Sequence, residues 1–99
     1  MKIESFDGVI LSGHKQDAVE VPFDPAERWS KTARPLWSGR RGHAVSGRLN
    51  ACGFDSFIVA RSRRFWLLLP AAVEAQADVR AGDTVHIEVA PRQAGGGAS

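Results

Sequence analysis

The sequence predicts an all-β protein: a small, partly open β-barrel capped by two short α-helices. Three observations predict it. Apolar residues alternate at period two in several short runs, punctuated by Gly, Pro, Asn and Asp. Two places carry a helix-start signature, and the stretch after each is short. Antiparallel pairing of the strands needs no long crossover between them.

The elements follow in order. Ile3 to Leu11 holds Phe6, Val9, Ile10 and Leu11 around Asp7 and Gly8, which reads as a strand interrupted by a bulge or sharp bend. Gly13 to Asp17 turns. Val19 to Val21 returns as a short strand that Pro22 ends, because proline cannot donate to a ladder. Asp24 then supplies an N-cap acceptor, Pro25 fills the first helical position and Glu27 the third, predicting a helix over about Pro25 to Lys31. Thr32 to Gly42 has no period and reads as a basic loop. His43 to Asn50 alternates as a half-buried strand, and Asn50 to Gly53 turns. Phe54 to Arg61 is apolar on both faces, the mark of a central strand. Arg61 to Arg64 forms a charged turn before the apolar run Phe65 to Leu69. Ala71 to Val79 is a second short helix, started by Pro70 and closed by Gly82, with Val73 and Ala77 facing the core. Asp83 to Ala90 sets Val85, Ile87 and Val89 against Thr84, His86 and Glu88. Six strands result, and residues 92–99 form a flexible tail with nothing to bury.

Ninety-nine residues, 43% of them apolar and 24% charged, make one domain with a single core. One cysteine, Cys52, excludes an intrachain disulfide and fits a reducing cytoplasm. The chain has no apolar run of membrane-spanning length, so no membrane partner is expected and the protein is read as soluble and unexported.

Val21-Pro22-Phe23-Asp24, followed by Trp29 and Lys31, and the ending Ala81-Gly82-Asp83-Thr84-Val85-His86-Ile87-Glu88-Val89 carry a resemblance. The chain resembles, from about Phe6 to Pro91, an uncharacterised group of bacterial domains, domain-of-unknown-function family nineteen-oh-five. That resemblance implies a double-split β-barrel capped by helices and no known activity. The barrel is similar to that of regulators and antitoxins that bind DNA as dimers, a likeness of fold that does not carry function by itself. The Arg-rich arm from Thr32 to Gly42 is longer than members of the family usually have, so nothing in the family accounts for it.

Charge is the most informative functional signal. Between Arg28 and Arg64 there are nine Lys/Arg residues and one acid, Asp55, whereas both flanks are net acidic and the total is only +2. Arg34, Arg40, Arg41, Arg48, Arg61, Arg63 and Arg64, with Trp37 and His43, are therefore the candidate binding residues, suited to phosphate contact and base stacking. The competing reading is that these charges are scattered over several turns, pair with the acidic flanks and serve solubility alone.

Other chemistry fares worse. His14, His43 and His86 lack ligand-spaced companions, so no metal is assigned, and His86 reads as solvent-facing. Cys52 has no recognisable base and reads as an unreactive thiol beside a turn. Ser12-Gly13-His14-Lys15 and Gly39-Arg40-Arg41-Gly42 do not match a phosphate loop and read as turns. Phe23, Trp29 and Trp66 read as core. No pair of carboxylates, nucleophile with base or cofactor cradle stands out, so the expectation is a binding module, not an enzyme, with no cofactor. Its partner is nucleic acid or another polyanion. The alternatives are a homodimer or protein interface involving Trp37, and a small-molecule site in a cleft of the barrel.

Overall fold

A computed structural model of the protein describes residues 3–12, 16–30, 33–37 and 40–92. They form β1 (Glu4–Leu11), β2 (Ala18–Val21), α1 (Pro25–Trp29), β3 (Arg34–Trp37), β4 (Arg40–Leu49), β5 (Cys52–Arg61), β6 (Arg64–Leu68), α2 (Ala71–Ala77) and β7 (Thr84–Pro91). All pairings are antiparallel, in the order β4-β5-β6-β2-β1-β7. The all-β class with two short helices holds. The barrel is closed, because β7 uses both edges: it pairs with β1 through Thr84 to Val89 and with β4 through Ile87 to Pro91.

Period-two alternation turns one side of every strand inward. Ile10, Val19, Val45, Leu49, Ile58, Leu67 and Ile87 are completely buried there, so side chains fill the interior. Each contributes about 1.5–3 kcal/mol relative to an exposed position. The expected break in β1 is absent: its register against β7 runs unshifted from Glu4 to Val9. Gly8 serves a different purpose, since a Cβ there would collide with Cγ1 of buried Val19.

The helices cover the two ends. Asp24 caps α1 by accepting from the Ala26 amide at 2.9 Å, and Trp29 packs edge-on to Phe23 at 5.5 Å within the core. The helix stops at Trp29 because Ser30 is left-handed (φ 54°); Lys31 lies outside the described residues. At the other end α2 inserts Val73 into the core, with Ala77 packed against it. It ends two residues earlier than the sequence predicts, at left-handed Asp78, and Gly82 (φ 99°) then turns the chain into β7 while its amide donates to the Ile10 carbonyl at 2.7 Å.

Two expected loops are corrected. Within Thr32 to Gly42, Arg34–Trp37 forms β3, which lies outside the closed barrel and pairs with Arg40, Arg41 and Gly42 at the start of β4, while Thr32, Ser38 and Gly39 lie outside the described residues. Pro35 obscured β3 in the sequence, but proline is tolerated on an edge strand. Arg61 and Arg64 are not turn residues. They pair with each other, and the turn is Ser62-Arg63 alone. These changes give seven strands among the described residues. The turn at Gly13 to Lys15, with His14, lies outside them, as do residues 93–99 of the expected tail. Arg92 is held by two bonds: its amide donates to the Ala44 carbonyl at 2.9 Å and its guanidinium to the Ser56 carbonyl at 3.3 Å.

Candidate polyanion-binding face

Strand direction decides which arginines meet. β4 begins, β5 ends and β6 begins at the same end of the barrel, the end that α1 covers. The β3–β4 hairpin therefore brings Arg34, Arg40 and Arg41 beside Arg61, Arg63 and Arg64 of the β5–β6 hairpin. Arg34 pairs with Gly42, Gly42 with Val59 and Val59 with Trp66, a continuous row across four strands. Trp37 joins the group through its backbone pairing with Arg40. Two of the candidate residues do not join. Arg48 lies toward the far end, opposite Gly53 and Glu88. His43 turns inward, its ring edge-on to Trp29 at 6.5 Å. Both were misplaced because closeness along the chain does not carry over to opposite ends or faces of a strand.

Arg34, Arg41, Arg61, Arg63 and Arg64 are exposed. Arg64 pairs with Glu20 at 3.3 Å, and Arg41 donates to the Ala33 carbonyl at 3.5 Å. Neither Arg34 nor Arg63 has an acidic partner among the described residues. Arg28, near the same end, is committed to Glu4 at 2.5 Å and stacks over Phe23 at 4.8 Å. An exposed pair such as Arg64–Glu20 holds its members by at most about 1 kcal/mol.

The sequence reading missed the aromatic part of this face. Ile58 and Leu67 point inward, so their neighbours Phe57, Val59, Trp66 and Leu68 point outward. There they form a second cluster with Ala18, in which Ala18, Val59 and Leu68 are buried while Phe57 and Trp66 stay partly exposed. The indole Nε1 of Trp66 donates to the Arg61 carbonyl at 3.4 Å, and the Arg92 guanidinium sits 5.6 Å from the Phe57 ring centre. The signal was the two-faced apolar pattern of β5. In a closed single-layer barrel, a second apolar face lies on the outer surface.

A family model described as a domain of unknown function (DUF1905) matches residues 6–89. The chain belongs to this family. No protein with a curated description matches the DUF1905 chain.

The opposite end of the DUF1905 barrel carries the reverse charge: Asp17, Glu74, Asp78 and Asp83, with Arg80 among them. Here the structure supplies a carboxylate pair that the sequence concealed, because its members are on different elements. Burial, and then the hydrogen bond and negative charge of Asp17, push the Glu74 carboxyl up from 4.5 to about 7. His86 is exposed and its Nδ1 lies 2.7 Å from Asp7 Oδ1 on the neighbouring strand. Cys52 is a free, partly buried thiol packed against the core. Among the described residues no three His, Cys, Asp or Glu side chains converge as a metal site, and no helix is long and apolar enough to cross a membrane.

Proposed function

We propose that this DUF1905 domain is a non-catalytic binding module that contacts a polyanion, nucleic acid above all, with its basic barrel end. One observation carries the reading: two hairpins bring Arg34, Arg41, Arg61, Arg63 and Arg64 to the same end of the barrel, where Arg64 pairs with Glu20. Arginine clustered on one face is the electrostatic footprint of phosphate recognition. The acidic far end steers the molecule, since its dipole turns the basic end toward a negative partner. A binding role fits better than catalysis because the carboxylate pair, Asp17 and Glu74, lies at the end away from the arginines. The filled interior likewise favours a surface site over a small-molecule cavity. We place the protein in the cytoplasm of a bacterial cell, where a lone free thiol such as Cys52 is at home.

A second reading has its own observation. Val9 and Leu11 on the outer side of β1 are 43% and 42% exposed, and Leu11 pairs with Ala18 of the outward apolar cluster, a continuity that suits a protein partner or a second copy.

Amide NMR spectra with and without a short DNA duplex, at low and near-physiological salt, separate the two. Polyanion binding shifts amides of 34–42 and 59–66 at low salt and releases them at high salt, and Arg40→Ala or Arg41→Ala weakens the effect. Shifts that are absent both with the duplex and with a single strand of equal length, or confined to the α2 end, rule it out.

A further inference from the structure

We infer that the partner of the basic end is a single-stranded nucleic acid, whose unpaired bases stack on Trp66 and Phe57 while its phosphates follow the arginines. The inference rests on the polyanion reading above and narrows it. The register Ile58↔Leu67 makes Phe57 and Trp66 diagonal neighbours on adjacent strands, about 7–8 Å apart. Successive unstacked bases reach both rings at that spacing. Each ring is already positioned. Trp66 packs on the buried outer cluster with its Nε1 held by the Arg61 carbonyl, and Phe57 packs on the same cluster under Arg92. Little side-chain entropy is therefore lost when a base settles on either of them.

The arginines lie where a backbone must run. Arg61 and Arg64 are one ladder step from Val59 and Trp66 respectively, measured on the same face, and Arg34 closes the row beyond Gly42. A strand whose bases lie on the β5–β6 wall has its phosphates at this rim. Aromatic rings on a sheet with basic residues at its edge are the working parts of single-strand binders, because every base offers a π-face once it is unstacked.

A duplex uses this surface poorly. Its base faces are hidden, so the outward apolar cluster would be left against sugars and phosphates. A second copy of the chain uses it poorly too. A two-fold interface sets a patch against itself, which would bring Arg34, Arg61, Arg63 and Arg64 toward their own counterparts.

The test is fluorescence anisotropy of the whole chain with labelled oligothymidylate of about twelve nucleotides, oligouridylate of equal length, and a DNA duplex of equal length, near physiological salt. A single strand is expected to bind more tightly than the duplex. Trp66→Leu should lower single-strand affinity roughly tenfold while leaving the duplex nearly unchanged, and Arg61→Ala should lower both. Phe57→Leu repeats the comparison should the tryptophan variant be unstable. In the unmodified protein, the Trp66 indole NMR signal should move with oligothymidylate and hold still with duplex. A duplex that binds as tightly, or a Trp66→Leu loss shared equally by both ligands, overturns the stacking proposal and leaves the polyanion reading standing. No binding of either ligand overturns both. Indole shifts that grow with protein concentration alone, without oligonucleotide effects, identify a self-association surface and also overturn it. The thymidylate and uridylate arms distinguish a DNA strand from an RNA strand.

Discussion

Arg61 and Arg64 face each other as the last pair of the β5–β6 ladder, and both residues of the turn between them, Ser62 (φ 54°) and Arg63 (φ 64°), are left-handed. Two positive φ values in a two-residue loop make a type I′ turn, in which asparagine and glycine are the favoured residues. Serine and arginine are poor choices there, and like charges directly opposite on paired strands destabilise the ladder. Three arginines in four residues at this tip therefore work against stability. Such a cost at an exposed hairpin fits the binding surface proposed for this end.

Arg63→Gly tests that conflict. Glycine relieves the left-handed strain at the second turn position, so the variant should be more stable by roughly 0.5–1 kcal/mol, read as a higher urea midpoint with unchanged slope. It should also bind polyanions less tightly, with a salt dependence shallower by about one phosphate contact. A variant that gains stability and keeps full affinity would remove Arg63 from the site.

Much of the fold was legible because local rules and tertiary packing agreed. The Asp24-Pro25 start of α1, the alternation of Val85, Ile87 and Val89, and the arrest of β2 at Pro22 all stand as the residues predict. The β3–β4 hairpin was illegible because its pairing partner, not its own pattern, makes Arg34 to Trp37 a strand. The site was half legible for a related reason. Composition located the arginines, but only the ladder separates Arg48 and His43 from the rest, and only barrel closure shows that Phe57 and Trp66 are on the outside.

Gly8 should not tolerate a side chain. The Cβ of alanine would meet Cγ1 of Val19, which is completely buried and has no room to retreat. Gly8→Ala should cost about 1–3 kcal/mol, the range for overpacking a filled interior. Chemical denaturation of the variant measures it. A loss under a few tenths of a kcal/mol would mean that β1 shifts easily relative to β2.

The Asp17–Glu74 pair predicts a stability that declines toward alkaline pH. The folded chain holds the Glu74 proton up to about pH 7, whereas the unfolded chain releases it near 4.5. The folded state thus binds more protons between these values, and this group's contribution is full below pH 4.5 and is lost as pH rises through 7. Glu74→Gln keeps the shape and removes the titration. At pH 8 it should be more stable than the parent by roughly 1–2 kcal/mol, a figure already reduced for solvent screening, and at pH 5 the advantage should vanish. Urea midpoints at the two pH values decide the matter, and an equal gain at both would show that neither burial nor Asp17 raises the Glu74 carboxyl.

Arg41→Ala and Arg48→Ala remove the same charge from one strand and differ in where it lies. Arg41 pairs with the β3 hairpin at the basic end, and Arg48 sits across from Glu88 toward the acidic end. A partner drawn by net charge alone would respond alike to both changes. A partner seated on the basic end should lose affinity with Arg41→Ala, its salt slope falling by about one contact, while Arg48→Ala leaves both nearly as they were. Titrations at several salt concentrations give the slopes directly. Equal slopes in the two variants would reduce the arginine cluster to a general charge effect, and a greater loss with Arg48→Ala would move the binding surface to the β4–β7 side of the barrel.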